Sequence, residues 1–250
     1  MEEEKIYGSE EGLAEKYGLG GVKSLKDWEE LRKKDSEILL NMIYPGYTEM
    51  NDKKKNKIQD DFGHGNIVGV PTGIKWIVEQ MKNPESPMYR PNTSDKDLVW
   101  IASEFYSLCE NIKDYRMENT GEDRLVDLHD SWGGVLVPEY ESVQKAKPLT
   151  VEEIKKNIKW AVERHNGPTS LKDRIFNGKK HPISYEAALE ITKCIMYTSD
   201  LYTDLFNKER SDLSMKKALE SALKSGVSEH DVNKSTTLEK EEKEEQEKDI

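Results

Sequence analysis

Residues 122–140, EDRLVDLHDSWGGVLVPEY, set an imidazole beside a carboxylate: His129 and Asp130 close an apolar run and precede the turn-forming Trp132-Gly133-Gly134. Both groups are ligands for a divalent cation, and a bound cation lowers the pKa of its water toward neutrality and polarises a phosphoryl oxygen. The chemistry such a pair offers is therefore metal-assisted phosphoester hydrolysis, provided further ligands converge on it. The ligands within the chain's means are His64, in Asp61-Phe62-Gly63-His64-Gly65-Asn66, and Asp200, which follows the apolar stretch from Cys194. The same pair also has a plain structural reading. At the end of a helix over 122–131, His129 and Asp130 form the exposed last turn, where an imidazole is favoured by the negative end of the helix dipole.

The segment L-V-D-L-H-D-S-W-G-G resembles the apolar-run, His-Asp, Gly segment of the HD-type divalent-metal phosphohydrolases, and Cys194-Ile-Met-Tyr-Thr-Ser-Asp200 resembles the last helix of that family. The resemblance implies helices gathered around a metal held by His64, His129, Asp130 and Asp200, with His129, Asp130 and Asp200 serving hydrolysis of a nucleotide. It covers two short segments. Ser131 and Trp132 stand between the Asp and the Gly pair, where the family has one residue, and His64 sits among glycines instead of on a helix.

Other chemistry is sparse. Gly63-His64-Gly65-Asn66-Ile67-Val68-Gly69 precedes a helical pattern, where free amides could meet a phosphate, but its order is not the dinucleotide fingerprint and no Gly-Lys-Ser/Thr follows. A surface loop is expected there. Lys53, Lys54, Lys55 and Lys57, with Lys179 and Lys180, form two short basic runs that are candidates for nucleic-acid contact if the fold places them on one face. Neither run is interleaved with aromatics that could stack on bases, so solvated loops are the expectation. Cys109 and Cys194 each fall within an apolar helical pattern and are expected as buried reduced thiols, not as a disulfide framework.

The elements that must position these residues are helical. Leu98, Ile101, Phe105, Leu108, Ile112 and Tyr115 draw one apolar stripe along 95–117, and Ala188, Ile191, Ile195, Thr198, Leu201 or Tyr202, and Leu205 draw another along 184–207. Further helices are expected over 25–43, 73–82, 151–164 and 213–225. Their start signals agree: Ser24, Ser94 and Ser170 each stand three residues before an Asp, and Thr150 three before Glu153, so each hydroxyl can cap the amide that follows. Pro84, Pro87 and Pro91 pin 83–93 as an irregular loop. Val135-Leu-Val-Pro138-Glu-Tyr is the best strand-like run, and it predicts an extended connector or one edge strand.

These readings give an all-α fold: an irregular multi-helix bundle with long proline-containing loops and at most one short strand or hairpin. Its helical core spans 20–226, in two groups, 20–131 and 149–226, joined by the connector 132–148. An acidic arm (1–19) precedes the core and an acidic tail (227–250) follows it. Of the net charge of −11, residues 1–12 carry −4 and residues 234–250 carry −3, leaving −4 across 13–233. That balance excludes a globally cationic nucleic-acid surface. No run approaches the ~20 apolar residues of a membrane helix and the start is acidic, so a cytoplasmic protein with no membrane role is expected. The function expected is non-catalytic binding or assembly: a scaffold, a viral structural or nucleoprotein-like subunit, or an inhibitor, with a protein partner or a second copy and no cofactor. The alternative is the HD-like phosphohydrolase with its divalent metal.

Overall fold

A computed structural model describes residues 5–62, 66–110, 112, 115–118, 124–127, 149–167 and 181–224. The helices are α1 (Leu13–Lys16), α2 (Leu25–Ile43), α3 (Asp52–Phe62), α4 (Asn66–Gly69), α5 (Pro71–Lys82), α6 (Asp95–Glu110), α7 (Val151–Asn166) and α8 (Tyr185–Lys224). A single 3-10 turn, Tyr47–Glu49, joins α2 to α3. The strands β1 (Tyr115–Glu118) and β2 (Arg124–Asp127) pair antiparallel, with Tyr115 opposite Asp127 and Glu118 opposite Arg124. The fold is mostly helical, as the apolar periodicity predicts, and among the described residues it has one short antiparallel strand pair.

Local chemistry fixes the helix starts. Ser24 Oγ accepts from the Asp27 amide at 3.1 Å, and Ser94 Oγ from the Asp97 amide at 3.2 Å. Thr150 and Glu153 complete a reciprocal capping box at the head of α7. Ser170 lies outside the described residues. The chain divides after Leu201 into two units. In the first, α2, α5 and α6 pack on one another, and Leu39, Leu40, Ile74, Ile77, Met81, Leu98 and Phe105 are buried between them. Ile154, Ile158 and Val162 of α7 and Ala187, Ala188, Ile191 and Cys194 of α8 join the same core. Gly73 permits the close approach of α5 to α6: a Cβ there would stand 2.6 Å from the Tyr106 ring. Both cysteines are free and buried, and burial pushes each thiol up to about 12, so neither is a nucleophile at neutral pH.

Several expectations are corrected. The helix expected over 95–117 stops at Glu110, and Tyr115 enters β1. The helix expected over 122–131 is absent in its centre, because Arg124–Asp127 is β2. An apolar run this short fits a period of 2 as well as one of 3.6, and the β1 ladder decides between them. The Lys53–Lys57 run is on α3 instead of in a loop, and Asn66–Gly69 forms a helical turn inside the expected glycine loop. The helices expected over 184–207 and 213–225 are one, α8. The strand-like run in 133–147 lies outside the described residues.

The stretch expected as an acidic arm, 1–19, contributes to the core from Ile6 onward. Tyr17 and Leu19 are each 1 % exposed, and Ile6 and Tyr7 are buried. Tyr17 meets Trp76 edge-on at 5.2 Å, while Tyr7 meets Tyr197 at 5.4 Å. Trp76 Nε1 donates to the Lys16 carbonyl at 3.0 Å. The net charge of the segment belongs to glutamates interspersed among these apolar positions, so the average conceals them.

Candidate functional site

Of the four residues in the expected metal set, Asp200 is the one described. It lies in α8 and accepts a hydrogen bond from Tyr7 Oη at 2.7 Å, with Lys5 Nζ at 3.7 Å. Asp200 thus anchors the N-terminal segment. His64, His129 and Asp130 lie outside the described residues, and the residues just before His129 form a strand where the family resemblance implies a helix. Among the described residues no group of three His, Cys, Asp or Glu side chains is placed to hold a metal ion.

The basic candidates divide in the same way. Lys53, Lys54 and Lys57 are exposed on α3, while Lys55 is half-buried, donates to the Thr48 carbonyl at 2.8 Å and lies over the Tyr47 ring. Lys55 therefore helps to dock α3 on the 3-10 turn. Lys179 and Lys180 lie outside the described residues.

Titratable side chains converge instead at Glu104, a residue that sequence reading did not single out as part of a definite site. Helix α6 presents Glu104, α7 presents His165 in its last turn, and the extended stretch before α8 presents His181. Glu104 Oε2 accepts from His181 Nδ1 at 2.8 Å, and Oε1 accepts from the His181 amide at 3.1 Å. His165 Nε2 is 3.3 Å from Oε1 and 2.9 Å from the His181 carbonyl. A nitrogen facing two acceptors carries its proton, which fixes His165 as donor at Nε2, and His181 Nδ1 is a donor because it faces a carboxylate oxygen, which can only accept. The Arg90 guanidinium stacks 5.2 Å over Phe105 and donates to the Pro182 carbonyl. The cluster is a hydrogen-bonded clasp between α6, α7 and the approach to α8.

Burial alone would raise the Glu104 pKa, yet the hydrogen bonds from His165, the His181 ring and the His181 amide pull it down to about 2. An acid whose folded pKa is depressed stabilises the fold above its ordinary value, and that contribution disappears as pH falls through the folded value. Stability is expected to drop by about 3 kcal/mol on acidification from about pH 5 to about pH 2 through this group. Urea unfolding across that range measures it. Glu104→Gln is expected to be less stable at neutral pH and to lose this part of the acid slope. An unchanged slope in the variant would remove Glu104 from the account.

The other notable feature is apolar exposure in the second unit. Tyr202, Phe206, Leu213 and Met215 of α8 are 40–55 % exposed, and the Tyr202 and Phe206 rings stack at 6.4 Å. The remaining exposed large apolar side chains among the described residues, Ile38, Tyr44, Tyr89 and Trp100, are spread over three other segments. The chain matches no known protein family, and no curated protein or solved structure is similar to it. No described helix is long and apolar enough to cross a membrane.

Proposed function

We propose that this protein acts by assembly, pairing with a second copy through the exposed part of α8. The observation that carries the reading is the run of exposed apolar side chains, Tyr202, Phe206, Leu213 and Met215, on a single helical segment. Large apolar side chains concentrated on one exposed helix favour helix-to-helix association: full burial is worth about 1.5–3 kcal/mol for each, and these are half covered, so about half of that remains to be gained.

Charge favours a second copy as the partner. Residues 202–217 hold four basic and three acidic side chains, so two copies meet without large net repulsion. Asp204 lies near the start of the segment and Lys216 and Lys217 at its end, with Lys208, Glu209, Arg210 and Asp212 alternating in sign between them. An antiparallel pair sets Lys216 and Lys217 of one copy toward Asp204 of the other, while a parallel pair stacks like on like.

Light scattering with rising protein concentration tests this. The wild-type mass is expected to climb from monomer toward dimer. Phe206→Asp with Leu213→Asp is expected to weaken association by at least about a hundredfold, with thermal unfolding of the first unit unchanged. A wild-type protein that stays monomeric at every concentration would defeat the assembly reading.

A further inference from the structure

The short stretch His181-Pro182-Ile183 is held in an unusual way. It has five backbone hydrogen-bonding groups, proline lacking an N–H, and a side chain meets each of them. The His181 amide donates to Glu104 at 3.1 Å, and the His181 carbonyl accepts from His165 at 2.9 Å. Arg90 donates to the Pro182 carbonyl. Asn166 serves both groups of Ile183, accepting from its amide at 3.0 Å and donating to its carbonyl at 2.7 Å. In a helix or sheet these groups would be zipped by other backbone, which no single substitution removes. Here the fold has placed the whole load on four side chains from α6, α7 and the proline loop before α6.

The bonds are also linked to one another. Glu104 holds the His181 amide, the His181 ring and His165 together, and His165 Nε2 is shared between Glu104 and the His181 carbonyl. His165 and Asn166 are adjacent at the end of α7, so a shift of that last turn disturbs the bonds to both His181 and Ile183. Directly after the stretch, Ser184 Oγ accepts from the Ala187 amide at 3.1 Å, capping α8, and Ala187 and Ala188 are buried in the core.

We infer that His181–Ile183 is a conformational latch on the head of α8, opening and closing as one unit, with Glu104 and the His165-Asn166 pair as its coupled clasps. Opening it frees the first turn of α8 without unfolding the α2, α5 and α6 core. It is a local opening whose free energy lies below that of global unfolding.

Amide hydrogen exchange on the full chain tests the inference, comparing wild type, Glu104→Gln and Asn166→Ala. In the wild type the His181 and Ile183 amides are expected to show equal protection. Asn166→Ala removes bonds to Ile183 alone, yet it is expected to lower the protection of His181 too, by at least about tenfold. Glu104→Gln, which touches His181 and not Ile183, is expected to lower the protection of Ile183 in the same proportion. The Ile77 and Val78 amides of α5 report on the core: they are expected to be better protected than the latch in the wild type, and in each variant to lose only what urea unfolding shows the whole fold has lost. The latch is overturned if each variant exposes only the amide it touches, or if the wild-type His181 and Ile183 amides are as well protected as those of α5, since the stretch would then open only by global unfolding.

Discussion

Replacing Lys75 with methionine is expected to cost the first unit about 3 kcal/mol at neutral pH, because it strands a buried carboxylate. Asp35 lies on α2, facing α5, and is 1 % exposed. Its Oδ1 is 3.5 Å from Lys75 Nζ, and its Oδ2 has no hydrogen-bond partner among the described residues. Lys75 is itself tied to Glu79 at 2.9 Å, nearer the surface. Burial pushes the Asp35 carboxyl above its ordinary range, and the Lys75 charge offsets part of that rise. The pair is therefore a site where the charge of one member is tolerated because of the other.

Removing Lys75 raises the Asp35 pKa further. A carboxyl raised in the folded state is penalised only where it is ionised, so below both its unfolded and folded values the penalty vanishes, and above both it is complete. The deficit of Lys75→Met is thus expected to grow as pH rises from about 4 to about 7, and urea unfolding at the two ends measures it. The double variant Asp35→Leu with Lys75→Met is expected to recover most of the loss, since apolar replacements need no charge compensation. A deficit below about 1 kcal/mol, equal at both ends, would mean that Asp35 is already neutral in the wild type.

What sequence could supply was whatever is decided within a few residues. The capping hydroxyls Ser24, Ser94 and Thr150 act on amides three positions ahead, and the helices begin where they stand. The apolar stripes of α2, α5, α6 and α7 are local too, and they place most of the core. The hairpin was not legible, because Tyr115 fits the helical stripe of α6 as well as it fits a strand, and its pairing with Asp127 is a tertiary decision. The clasp at Glu104 was not legible for a different reason. Glu104 and His181 are 77 positions apart, and nothing near either residue points to the other. The available signal was coarse: His165 ends a capped helix just before Asn166-Gly167-Pro168, and His181 precedes a proline, so two of the chain's five histidines flank breaks that bound one connection. The His129-Asp130 pair drew attention because its residues are adjacent, whereas the titratable residues that do converge are distant in sequence.

Deleting residues 1–19 is expected to abolish cooperative folding of the first unit, whereas a solvated acidic arm could be removed with little effect. Ile6, Tyr7, Tyr17 and Leu19 are all buried, and at about 1.5–3 kcal/mol for each large apolar side chain their gross contribution is comparable with the ~5–15 kcal/mol that stabilises a whole domain. Ordering the segment offsets part of that gain, but the deletion also strands groups it leaves behind. Trp76 Nε1, on a residue 4 % exposed, loses the Lys16 carbonyl, and Asp200 loses the Tyr7 hydroxyl. Glu190 loses Lys16 and keeps Lys193. Loss of the near-ultraviolet aromatic dichroism and of a single melting transition is the expected readout. Neutralising the charge alone, with Glu10→Gln and Glu11→Gln, is expected to leave both intact, while Tyr17→Ala by itself is expected to cost about 3–5 kcal/mol, as for other large aromatic truncations. A truncated chain that melted like the wild type would return the segment to the role its net charge suggests. The contrast between the charge variants and Tyr17→Ala separates Glu10 and Glu11, which face water, from the four apolar residues that complete the core.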